Sequence, residues 1–189
     1  MGDLDRMEEI LRFWFGEGRE FREEWFGGGE DFDREVSERF RADYEWAASR
    51  ELGDWKETPR GCLALILLLD QFPRNMFRGD PRSYTTDHLA REVAREALEK
   101  GFDRLLTPME RMFVYLPFEH SEDLEDQRLS VRLFRALEEE LGRPEVLEYA
   151  LRHEAVIARF GRFPHRNEIL GRRSTPEELE FLSGPEAPF

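Results

Sequence analysis

Cysteine is nearly absent from this chain of 189 residues: Cys62 stands alone, so no internal disulfide can form. Lysine is almost as scarce, with Lys56 and Lys100 the only two among 28 basic residues. Long apolar runs are missing too. The longest, Cys62 to Leu69, falls far short of the roughly 20 residues that cross a bilayer, and Asp3 and Asp5 stand where a secretory leader would be basic. Positive charge is in deficit, since 28 Lys+Arg against 42 Asp+Glu leave a formal net charge of −14. So acidic a surface repels phosphate at long range and argues against general binding to nucleic acid or to anionic membranes. These absences predict a cytoplasmic protein with neither a membrane nor a nucleic-acid partner.

What is present is a core. Aromatic residues make up 13% of the chain, including 16 Phe and 4 Trp, far more than a disordered sequence carries. Apolar residues recur at helical spacing, and no stretch alternates as a half-buried strand would. The reading is one all-α domain over residues 1–189, with about seven to nine helices. The first runs from about Leu4 to Phe15 and is stopped by Gly16 and Gly18; a glycine linker, Gly27-Gly28-Gly29, precedes a helix capped by Asp31 or Asp33. Thr58-Pro59 starts the most apolar helix, which Pro73 is expected to end, and Arg74 to Tyr84 then read as a polar loop before a cap at Thr85 or Thr86. Thr107-Pro108-Met109-Glu110 and Thr175-Pro176-Glu177-Glu178 are capping boxes. Pro117 should break the helix that the first of these opens, and Ser121 should cap the next.

Three segments carry chemistry. In the first, Asp70 sits where an apolar helix is expected to end, against the local preference for positive charge, and Gln71, Arg74, Asn75 and Arg78 follow it. Either Asp70 is clamped to an arginine, or these side chains line a pocket. The second segment, Arg159 to Asn167, echoes the first: Phe163-Pro164-His165-Arg166-Asn167 repeats Phe72-Pro73-Arg74-Asn75 with one inserted histidine. With Arg162, these turns could grip a carboxylate or phosphate through forked guanidinium groups. The third holds Glu119, His120 and Asp123, with Gln127 one turn further on, where a carboxylate could orient His120 for acid–base work.

Metal and cofactor motifs fail on spacing. None of His88, His120, His153 and His165 has Glu three residues before it, and the zinc-protease pattern begun by His153-Glu154 meets Ile157 where histidine is required. No Walker loop, paired Cys-x-x-Cys, dinucleotide fingerprint or serine elbow occurs. Neither metal nor cofactor is expected, and Cys62 reads as core.

Taken together, Phe13-Trp14-Phe15-Gly16, Leu65 through Gly79, Glu119-His120-Ser121-Glu122-Asp123 with Gln127, and Gly161 through Glu178 resemble a mainly bacterial family, domain of unknown function 924. The resemblance spans nearly the whole chain. It implies an antiparallel helical array related to the tetratricopeptide superhelix, and it supplies no established reaction. From the residues themselves, three functions stay open. One is binding of a small anionic ligand or peptide carboxylate by Arg74, Arg78, Arg162 and Arg166, oriented by Asn75 and Asn167. Another is a small-molecule enzyme using His120 with Glu119 or Asp123. The third is an interaction module in which the polar segments are salt-bridge clamps.

Overall fold

The computed structural model describes residues 2–16, 21–27 and 29–184, with the Phe26 side chain left out. Gly18 and Gly28, read above as a helix stop and part of a linker, lie outside the described residues. Every regular element described is helical, as the periodicity required, and none is long and apolar enough to cross a membrane. The chain divides into two compact units, Met1–Pro117 and Phe118–Phe189.

The first unit is built around a buried helix. In α4 (Pro59–Ile66) every residue from Gly61 onward is buried, and Thr58 caps the start by accepting from the Gly61 N–H at 3.0 Å. Gly61 is required there, because a Cβ would stand 2.0 Å from the Trp55 carbonyl oxygen. Against α4 packs α1 (Asp3–Phe15), which turns Met7, Ile10, Leu11, Trp14 and Phe15 inward. A short α2 (Glu24–Gly27) brings Trp25 onto Trp14, Phe15 and Phe113. In α3 (Glu30–Ala48) the buried stripe is Val36, Phe40, Tyr44 and Ala47, continued by Asp43, whose carboxylate accepts from Arg6 Nε at 2.8 Å and ties α3 to α1.

Pro73 does not end the central helix. The chain passes from α4 through a π-helical turn, Leu67–Gln71, into α5 (Phe72–Met76), so Asp70 lies within a continuous helix and not at its C-terminus. The caps also move. Gly29 precedes α3 without a side-chain cap, and Thr86 precedes α6 (Asp87–Glu99) with its hydroxyl engaged elsewhere. The Thr107–Glu110 capping box does form and opens α7 (Pro108–Glu119). Pro117 is carried inside that helix: Met112 through Glu119 are all buried, and this packing outweighs the one hydrogen bond a proline removes.

In the second unit, α8 (Leu124–Leu141) and α9 (Glu145–Phe160) pack along each other across a short link that Gly142 opens in the left-handed region, φ 68°. Val131, Phe134 and Leu137 are buried on α8, and Val146, Ala150, Val156 and Ile157 on α9. The cap of α8 is Asp123 and not Ser121, because the Asp123 carboxylate accepts from the Glu125 and Asp126 N–H groups at 2.8 and 3.1 Å. Past α9 the chain loops through Phe163 and returns as α10 (Pro176–Ser183), opened by the Thr175–Glu178 capping box. Phe163 and Phe181 close on Val156 and Ile157 as one apolar cluster.

Candidate functional site

The two arginine-bearing turns belong to different units, and each finds its partners in its own. In the first, the π-turn follows from Pro73. Proline has no N–H for the Leu69 carbonyl four residues back, and the Thr86 hydroxyl donates to that carbonyl instead, at 2.7 Å and buried. The Phe72 N–H reaches back five residues to Leu67. The Arg74 guanidinium donates to the Asp70 carbonyl, lies 3.3 Å from the fully buried Asp70 carboxylate, and makes two bonds of 3.0 and 3.1 Å to Asp87. Burial opposes the charge of Arg74, but Asp70 and Asp87 outweigh it and hold its pKa above the ordinary value. Gln71 Nε2 donates to the second Asp70 oxygen at 2.6 Å. One helix turn on, Asn75 and Arg78 both grasp Asp33 of α3: Nδ2 at 2.7 Å, Nε at 2.6 Å and Nη2 at 2.9 Å. Asp70, Gln71, Arg74, Asn75 and Arg78 thus fasten the central helix to α6 and α3.

The second turn is stapled by two carboxylates. Glu178 accepts from Arg162 Nε at 2.6 Å and Nη2 at 2.8 Å, from Asn167 Nδ2 at 3.2 Å and from the Thr175 N–H at 2.7 Å. Those donors, Arg162 first, outweigh its burial and hold its pKa at about 2. Glu122 accepts from Arg172 at 2.7 and 2.9 Å and from the Phe163 N–H at 2.7 Å, and Arg172 Nε donates to Asn167 Oδ1 at 2.9 Å. Arg159 meets Glu177 in an exposed pair at 2.9 Å.

Once these staples are assigned, a compact polar group stands out around the Phe163 ring, which is itself fully buried. His153 of α9 meets the ring edge-on with centroids 5.5 Å apart, His165 lies tilted against it at 5.5 Å, and the buried Arg166 guanidinium sits 4.5 Å from its centroid. His153 Nδ1 is 2.8 Å from the Tyr149 carbonyl and 3.4 Å from Glu119 Oε1. A carbonyl only accepts, so Nδ1 carries the proton and Nε2 is the basic nitrogen. Burial, aided by the charges of His120, Arg166 and His165, lowers the pKa of His153 to about 3, so the Glu119 contact orients a neutral ring. Desolvation and the neighbouring Arg166 and Arg172 hold His165 at about 4. Gln127 is fully buried, and its Nε2 donates to the Glu119 and Ser121 carbonyls at 2.6 and 2.7 Å, securing the turn that carries Glu119 and His120.

Glu119 lies 3.4 Å from His153, an imidazole that the sequence had not placed in the site beside Glu119, His120 and Asp123. Asp123, the alternative acid, spends its carboxylate on the start of α8. The sequence reading passed over His153 because its zinc spacing failed. A usable signal existed, since Val146, Ala150, His153 and Ile157 fall on one helical stripe and a histidine there must be buried. The acidic partners Asp33, Asp87, Glu122 and Glu178 were invisible as site residues, being 11 to 50 residues distant from the side-chain donors they hold. Among the described residues no group of three or more His, Cys, Asp or Glu side chains is arranged to hold a metal ion.

A family model described as a bacterial protein of unknown function (DUF924) matches residues 10–186. A solved structure of a protein of unknown function, ATU0120 from Agrobacterium tumefaciens, is 42% identical over 96% of this chain and 99% of that one, with a TM-score of 0.89. No curated protein matches.

Proposed function

Because the chain belongs to DUF924, a bacterial family without an assigned activity, its role has to be read from its own geometry, and we propose that it binds a small anionic molecule beside Phe163 and moves a proton there. His153 is the base in this reading, Glu119 and the Tyr149 carbonyl fix its tautomer, and Arg166 with His165 and His120 hold the anion. The observation that carries it is the orientation of His153: with Nδ1–H pinned by the Tyr149 carbonyl, Nε2 is the ring nitrogen left to accept a hydrogen bond or a proton. Of the residues picked from sequence, the ligand reading takes Arg166 and His165 for their place against Phe163 and sets aside Arg74, Arg78, Arg159 and Arg162, which hold Asp87, Asp33, Glu177 and Glu178. That same internal pairing favours a second reading, an interaction module clamped by its polar segments, with tetratricopeptide kinship supported by the α8–α9 pair. A cytoplasmic location accords with the single buried cysteine.

Imidazole 15N NMR on histidine-labelled protein tests the proposal. His153 should stay neutral with its proton on Nδ1 down to about pH 4, and one of phosphate, citrate or a nucleotide should shift the His120 and His165 signals saturably, with the shift lost in Arg166→Gln. A His153 that carries its proton on Nε2 would refute the base assignment. No response to any anion would leave the interaction module as the better account.

A further inference from the structure

The chain between α9 and α10, residues 161–175, closes the second unit as a strap. It carries one short 3-10 turn, Pro164–Arg166, and no other helix. Its plug is Phe163, whose ring fills the apolar cluster with Val156, Ile157 and Phe181. Two carboxylates latch it: Glu122 holds the Phe163 N–H and Arg172, and Glu178 holds Arg162 and Asn167. Positive charge gathers on that same plug. Arg166 and His165, both on the strap, lie 4.5 and 5.5 Å from the Phe163 ring centroid, and His153 of α9 meets the ring at 5.5 Å with its side chain only 11% exposed.

Its burial against the strap makes His153 the group that senses acid. The titratable and charged groups facing it are Arg166 and His165 on the strap, and Glu119 and His120 where α7 ends. Glu122 and Arg172 in turn face His165. On α8 the buried polar groups are Asp126, which accepts the Ser121 hydroxyl, and the neutral Gln127 and Ser130. A proton on His153 sets a second cation beside the Arg166 guanidinium on one ring, and a proton on His165 sets a third. Glu119 is the acid near His153, at 3.4 Å, while Glu122 is already committed to Arg172 and the Phe163 N–H. Burial opposes the added charge further. With the strap closed, His153 is accordingly held at about 3, against 6.5 for a hydrated imidazole. Relief is easiest at the strap itself. Parting α8 from α9 would undo the core of the unit, whereas lifting Phe163 carries Arg166 and His165 away together and lets water reach His153. We propose that residues 161–175 are an acid-released strap: protonation of His153 is accommodated by withdrawal of Phe163 from its cluster, while α8, α9 and the first unit stay folded. This inference does not depend on the proton-transfer reading.

Hydrogen–deuterium exchange on the full chain at pH 7 and pH 5, corrected for the intrinsic rate at each pH, tests this directly. The N–H groups of Phe163, Arg166, Asn167, Leu170 and Arg172 are all hydrogen-bonded in the closed strap, so their exchange reports its opening. Between pH 7 and pH 5 the protection of these amides should fall about 20-fold, the change in open-to-closed ratio that one imidazole moving from 3 to 6.5 imposes. Amides in the middle of α8 and in α4 should keep their protection. His153→Gln cannot take up the proton, and its strap should exchange alike at both pH values. Arg172→Gln loosens the latch without touching the sensor, so strap exchange should be faster at both pH values with the roughly 20-fold ratio between them preserved. Equal protection of the strap at pH 7 and pH 5, an equal loss of protection in α8, a pH dependence that survives in His153→Gln, or one that disappears in Arg172→Gln would each overturn the proposal.

Discussion

A carboxylate that accepts four hydrogen bonds cannot take up a proton without losing some of them, and Glu178 is such a group. Its folded pKa of about 2 lies below the ordinary 4.5, so the unfolded chain binds the proton first as pH falls. The stabilisation from Glu178 is therefore complete above about pH 4.5 and is lost as pH drops towards 2. Glu178→Gln should lower stability at pH 7 by roughly 2 kcal/mol, the usual size for a charged acceptor with several donors. Denaturant melts at pH 7 and pH 3 check this, because the gap between variant and wild type should narrow at the lower pH. His153 acts in a higher window. It is a base whose folded pKa is depressed from 6.5 to about 3, so the unfolded chain again holds the extra proton, and stability declines as pH falls below 6.5. Glu119, His120, His165 and Arg166 face it, and His165 contributes in the same direction down to about pH 4. Melting temperatures between pH 7 and pH 5, where Glu178 is silent, should fall for wild type and fall less for His153→Gln. An unchanged slope in that variant would mean that the ring is not held neutral.

At the scale of elements, Thr86 explains how the central helix survives Pro73. Its hydroxyl supplies the donor that proline removes, at 2.7 Å from the Leu69 oxygen. Thr86→Val keeps the shape and leaves that buried carbonyl without the hydroxyl, which should lower stability by about 1–3 kcal/mol, whereas Thr86→Ser should recover most of the loss. Urea melts of the three proteins read the difference directly, and equal stability of the Val and Ser variants would mean that the carbonyl is met in another way. The same residue shows what a sequence can and cannot disclose. Helices, their apolar stripes and three caps at Thr58, Thr107 and Thr175 were legible, because periodicity and capping chemistry act within a few residues. The continuation through Pro73 was not, because the compensating donor comes from 17 residues away. Asp123 and Ser121 exchanged roles for a subtler reason: both are good caps two residues apart, and the Asp126 carboxylate, accepting the Ser121 hydroxyl at 2.8 Å, decides between them. Within the candidate site, His153 emerged only when Tyr149, Glu119 and Phe163 surrounded it.

At the scale of the whole molecule, the charge imbalance and the ion pairs respond to salt in opposite directions, and their burial decides which prevails. A formal charge of −14 makes the folded chain repel itself, and added salt relieves this over a screening length of about 8 Å at physiological ionic strength. Salt also weakens exposed pairs such as Arg34–Asp31 and Arg159–Glu177, but pairs of that kind contribute a median of only about 0–1 kcal/mol. The carboxylates that hold elements together are of another sort. Asp43, Asp70 and Glu178 have side chains no more than 3% exposed, where mobile ions screen poorly. The melting temperature at pH 7 should accordingly rise as sodium chloride increases from low to physiological strength. Thermal melts across that range test the balance. A fall would show that the exposed pairs, and not the buried clamps, carry the electrostatic part of this fold's stability, and would move that weight from Arg6, Arg74 and Arg162 to Arg34 and Arg159.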